Sequence, residues 1–89
     1  MEKQKTTVRV AGKEYALVSS DSPEHLNRVA SYLDRQITET VFATRLPKET
    51  VTVLVAMNIT DELMKAQEEN SRLRRELNAL RSAAAPAGD

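Results

Sequence analysis

Residues 63–80 read Leu63-Met64-Lys65-Ala66-Gln67-Glu68-Glu69-Asn70-Ser71-Arg72-Leu73-Arg74-Arg75-Glu76-Leu77-Asn78-Ala79-Leu80. With Leu63 placed at position a of a heptad, Ala56, Asn70, Leu77 and Ala84 also fall at a, and Ile59, Ala66, Leu73 and Leu80 fall at d. An apolar residue every 3.5 positions predicts helices that wrap left-handedly to keep one narrow seam buried. The alanines make that seam weak, so a coil built on it needs support from elsewhere in the molecule. Asn70 interrupts the seam with an amide. Paired with its counterpart it would penalise slipped registers; at a hydrated, splayed section it would do nothing of the kind.

The flanking charges carry orientation. Glu62, Glu69 and Glu76 occupy g, while Gln67, Arg74 and Arg81 occupy e. A parallel pair sets each Glu against the e residue of the partner's next heptad, whereas a fully overlapped antiparallel pair sets Glu against Glu and Arg against Arg. Each exposed contact is worth only ~0.2–1 kcal/mol, but all of them avoid repulsion in the parallel arrangement. Two parallel pairs meeting end to end in an antiparallel four-helix bundle remain compatible with the pattern.

Toward the N-terminus the seam gives way to Val51, Val53, Leu54, Val55, Ala56, Met57 and Ile59, apolar on nearly every side. This is the composition of a helix buried in a head domain, although its β-branched residues also suit a strand. No glycine or second proline interrupts the chain between Pro47 and Arg81, and a helix of that length would extend ~50 Å. Ahead of it, Ser22-Pro23-Glu24 is a helix start: a capping hydroxyl, a proline suited to the first helical position and an acid at the positive end of the macrodipole. Leu26, Val29, Ala30, Leu33, Ile37 and Val41 follow on one stripe, and the helix is expected to end near Ala43, before the Thr44-Arg45-Leu46-Pro47 connection.

From Thr6 to Val18 the pattern alternates, with Val8, Val10, Tyr15 and Leu17 on one face. Gly12-Lys13 between the two runs suggests a hairpin closed by a type II′ turn, glycine supplying the positive φ. A lone hairpin is marginal, so that face needs a cover. The expected fold class is therefore α+β: a small head over residues 1–60, with a hairpin over 6–18, a helix over 23–43 and a long helix from 47. A coiled-coil extension follows over 61–81, with a disordered tail of small residues over 82–89.

Composition excludes much else. The chain has 89 residues, 13 basic and 13 acidic, with no cysteine and 3% aromatic residues. So small a fold buries too little surface to be secure alone and has no disulfide to staple it, which points to self-association. Zero net charge supplies no global attraction to nucleic acid or anionic lipid. An apolar run of about 18 residues is missing, as is the apolar segment of a signal peptide, so a cytoplasmic protein without membrane insertion is expected.

His25 stands alone at a helix start, where a surface or capping role is the ordinary one, and one histidine makes neither a metal site nor a catalytic dyad. Gly12 and Gly88 are the only glycines, so there is no phosphate-cradling loop or dinucleotide fingerprint. The acidic pairs Asp61-Glu62 and Glu68-Glu69 lie on different helix faces. Neither an enzyme nor a metal or cofactor is expected. Arg72, Arg74, Arg75 and Arg81 resemble a DNA-binding stripe. A basic zipper, however, carries its basic helix ahead of the coil, and here that segment, Val51 to Ile59, is apolar, while Glu68, Glu69 and Glu76 dilute the arginines themselves.

Three features together resemble the ZapA family of bacterial cell-division proteins: the hairpin with Gly12 and basic Lys13; the Ser-Pro-started helix with Leu26, Ala30 and Leu33; and Ala56-Met57-Asn58-Ile59-Thr60-Asp61-Glu62-Leu63, which is similar to the family's run entering its coiled coil. The resemblance spans residues 6 to about 80. It implies an α+β head that dimerises, with paired long helices joining two dimers into a tetramer. It also implies a function, namely binding the tubulin-like GTPase FtsZ at the mid-cell division site, bundling its filaments and stabilising the division ring. The coil here is short for that pattern, which bears on the tetramer more than on the dimer.

The positions that match the family's filament contacts are Lys13, Arg45 and Glu49, against a plain alternative of surface charge, and for Glu49 of a favourable helix N-terminus. Ile59, Leu63, Ala66, Asn70, Leu73, Leu77 and Leu80 are the expected oligomer interface. Leu54 suits core packing better than a partner contact, and Asn58 suits a structural hydrogen-bonding role. The competing functional reading is a coiled-coil oligomerisation module whose partner has no connection with cell division.

Overall fold

The computed structural model describes residues 2–84. Its elements run β1 (Gln4–Val10), β2 (Lys13–Ser19), α1 (Pro23–Thr44) and α2 (Lys48–Ala84), the α+β order of hairpin, helix and long helix. The described chain divides between Ala56 and Met57 into two compact units, ahead of the boundary after residue 60 that the seam suggested.

In the first unit β1 and β2 pair antiparallel, with Val8 opposite Tyr15, Thr6 opposite Leu17 and Val10 opposite Lys13. The last pair moves the turn back by one residue from the sequence expectation. Its central residues are Ala11 (φ 55) and Gly12 (φ 81), so it is a type I′ turn rather than II′. Type I′ matches the right-handed twist of the strands but requires positive φ at both centres. Gly12 adopts it freely, while Ala11 does so at a cost of about 1 kcal/mol.

Helix α1 begins as its sequence dictates. The Ser22 hydroxyl accepts from the His25 N–H at 3.1 Å, and the Ser22 carbonyl accepts from the Leu26 N–H at 3.0 Å. Pro23 fills the first position, where no N–H is needed. The helix runs through Thr44 and is stopped by Arg45 in the left-handed conformation (φ 60), whose N–H donates to the Val41 carbonyl at 2.8 Å. The Pro47 carbonyl then accepts from the Val51 N–H at 3.0 Å and opens α2.

Helix α1 packs on β1, and the core forms from Val8, Ala30, Ile37, Val51 and Val55, with Thr6 buried beside them. Of the apolar run that suggested a buried helix, only Val51 and Val55 are buried. Val53, Leu54 and Met57 are exposed, because one hairpin and one helix have too little surface to enclose every face of that stretch. The run is helical throughout, which disposes of the strand alternative.

In the second unit α2 extends through Ser82, Ala83 and Ala84, residues the sequence reading assigned to the tail; the remainder of that tail lies outside the described residues. No helix among the described residues is long and apolar enough to cross a membrane.

Candidate functional site

The first unit is built so that two separate segments meet at the hairpin tip. The Ala11 N–H donates to Asp34 Oδ1 on α1 at 2.8 Å, and the Ala11 carbonyl accepts from Lys48 Nζ, at the start of α2, at 3.0 Å. Lys13 is the first residue after the turn, and Glu49 immediately follows Lys48 in the first turn of α2. Two of the three expected contact residues are thus carried by segments that touch, and both are exposed. Arg45 is exposed as well, but its guanidinium lies 5.3 Å from the centroid of the Phe42 ring, a cation–π contact on the C-terminal end of α1. The corner thus carries exposed charge of both signs beside a turn whose backbone is held from α1 and α2.

Asp34 and Lys48 were not singled out by sequence reasoning. A signal was present for the first: Asp34 interrupts the apolar neighbourhood of Leu33 and Ile37, where a half-buried carboxylate needs a donor. For Lys48 there was none, since its partner is a backbone carbonyl far away in sequence.

Beside the corner, on the same unit, an open apolar groove of about 360 Å³ runs between the hairpin and α1, lined by residues that include Val8, Val10, Tyr15, Leu17, Leu26, Val29 and Leu33. The face that the alternation marked as needing a cover is only partly covered: Tyr15 retains 48% of its accessible surface and Leu17 39%.

The second unit displays the seam. Ile59 is half-buried, and Leu63, Ala66, Asn70, Leu73, Leu77 and Leu80 are all exposed. Two of the glutamates flanking this seam, Glu69 and Glu76, are engaged within the helix. Arg72 binds Glu69 through Nε at 3.0 Å and through a second guanidinium nitrogen, and it also reaches Glu76. Its hydrogen bond holds the Glu69 carboxyl below the usual carboxylate range, and Glu69 in turn raises the Arg72 guanidinium. Glu69 and Glu76 are two of the g residues on which the parallel arrangement rested, so contacts to Arg74 and Arg81 of another chain must compete with Arg72. Asp61 and Lys65 form a further intrahelical pair at 2.9 Å. Among the described residues there is no group of three metal-ligating side chains.

Comparison with known proteins gives this arrangement its class. The family model described as Cell division protein ZapA matches residues 6–85. A cell division protein ZapA of Geobacillus kaustophilus is 37% identical over 78 residues, covering 84% of each chain. That of Bacillus subtilis is 33% identical over 78 residues, covering 84% of this chain and 89% of its own. A solved ZapA mutant dimer from Geobacillus stearothermophilus superposes with a TM-score of 0.75 at 33% identity, over 88% of this chain and 92% of that one. The class is that of small α+β cell-division proteins. Within it, the chain belongs to the ZapA family.

Proposed function

We propose that this protein binds FtsZ filaments in the cytoplasm at mid-cell, crosslinks them and stabilises the division ring as a symmetric homo-oligomer, without catalysis or cofactor. Family membership across residues 6–85 is the observation that carries the reading. Self-association draws support from the apolar surface left open in each unit and from the dimer formed by the Geobacillus stearothermophilus relative. A second copy covering the groove beside Tyr15 and Leu17 would supply the cover the hairpin needs. The seam from Ile59 to Leu80, paired as a coiled coil, would extend the association toward a dimer of dimers.

Lys13 and Glu49 serve as filament contacts at the hairpin corner, with Arg45 contributing from the end of α1. Symmetry explains bundling, since an oligomer displaying the corner more than once links two filaments, and repeated weak contacts along a polymer accumulate into avidity. Charge reversal at Glu49 tests the contact. Glu49→Lys is expected to weaken pelleting with GTP-grown FtsZ polymer by about tenfold while leaving the solution mass unchanged. Equal pelleting of variant and parent would remove Glu49 from the interface.

A further inference from the structure

Ala11 is gripped on both sides. The Asp34 carboxylate takes its N–H at 2.8 Å and the Lys48 ammonium caps its carbonyl at 3.0 Å. A type I′ turn closes through its own ladder pair, here Val10 with Lys13, and requires neither contact. Asn or Gly at the first central position would lift the steric cost that Ala11 (φ 55) bears. The chain instead keeps a strained residue and fixes it from two elements outside the sheet. A Cβ placed on Gly12 would lie 3.6 Å from Lys48 Nζ, so the ammonium sits against the tip itself. Backbone held in an unfavourable region by converging side chains is a mark of a surface whose geometry matters.

We propose that Asp34 and Lys48 are positioning residues for filament binding. They clamp the tip of an otherwise fraying two-stranded hairpin, so that Lys13 is presented in one preset orientation beside the start of α2. The inference rests on the reading that Lys13 contacts the filament. Neither clamp residue is required to touch the partner; their effect is to remove the ordering cost that a loose tip would incur on binding.

The test uses the full chain, with pelleting on GTP-grown FtsZ, solution mass and hydrogen exchange of the Ala11 amide as readouts. Asp34→Ala is expected to weaken binding by about fivefold to tenfold, the scale of one ordinary hydrogen bond's net contribution, and to speed Ala11 exchange at unchanged mass. Asp34→Asn retains an acceptor oxygen and is expected to restore binding to within about twofold of the parent. Lys48→Met, which keeps the aliphatic stem, is expected to weaken binding in the same direction and decides the matter should Asp34→Ala fail to fold.

In a Lys13→Ala background the clamp substitutions are expected to cost little further, because the clamp acts through Lys13. Full binding by Asp34→Ala and Lys48→Met, with Lys13→Ala impaired, would overturn the clamp and leave the contact reading intact. Equal losses with and without Lys13 would reduce the clamp to a purely structural role and also overturn it. Parental binding by Lys13→Ala itself would overturn the contact reading and the clamp together.

Discussion

The two units handle their apolar residues in opposite ways. Ahead of Met57, Val8, Ala30, Ile37, Val51 and Val55 come from three different elements and are buried by the chain itself. Beyond it, no described residue is buried, although Leu63, Leu73, Leu77 and Leu80 are as apolar as those of the core. The reason is geometric. A hairpin and a helix each offer one apolar face and can close on each other, whereas residues spaced along a single helix have no second element to meet. The first unit therefore buries a core of its own, and the second leaves its leucines exposed along the helix. Even the first closes incompletely, since the groove at Tyr15 and Leu17 stays open.

Substitutions can break this contrast from either side. The largest effect is expected from Val51→Asp: the side chain has 0% exposure, and an unpaired charge there should destabilise the first unit by more than about 3 kcal/mol. Chemical denaturation would show it as loss of the folded baseline. Leu73→Glu places a charge in the seam and is expected to lower the solution mass in analytical ultracentrifugation while the amide spectrum of the hairpin is preserved. An unchanged mass would mean the heptad assignment is wrong.

Ser22→Ala removes the acceptor of the His25 N–H and should cost the first unit about 1 kcal/mol, visible as a Tm lower by several degrees. Arg72→Ala should have the smallest effect, and a pH-dependent one. The Glu69 carboxyl is held below its ordinary range by the Arg72 hydrogen bond. The contact therefore contributes fully above the unfolded carboxylate pKa and is lost as pH falls through the lowered folded value. In the Leu73→Glu background, helical ellipticity of the Arg72 variant should fall slightly below the parent near neutrality and converge with it in strong acid.

Legibility in the sequence divides along similar lines. Features set by neighbours in the chain were readable: the face shared by Val8, Val10, Tyr15 and Leu17, the Ser22-Pro23 helix start and the long helix itself. The turn was misplaced by one residue. Gly12 satisfies either the first or the second central position, and what accompanies the choice here is a pair of contacts from Asp34 and Lys48. Exposure of Val53 and Met57 was equally hidden, because composition reports how apolar a segment is and not how much surface remains to cover it. Of the candidate site, the charges at Lys13, Arg45 and Glu49 entered through family resemblance. Only the folded chain shows that the segments bearing Lys13 and Glu49 meet, while Arg45 rests on Phe42.

Co-pelleting of the folded, oligomeric protein with FtsZ, in GTP and then in GDP at physiological salt, tests the central claim most directly, with the pellets inspected by electron microscopy. Enrichment with GTP-grown polymer alone, accompanied by bundles, is the expected result. Absence from the pellet under both nucleotides would contradict the account, and would leave an oligomer-forming α+β protein whose partner lies elsewhere.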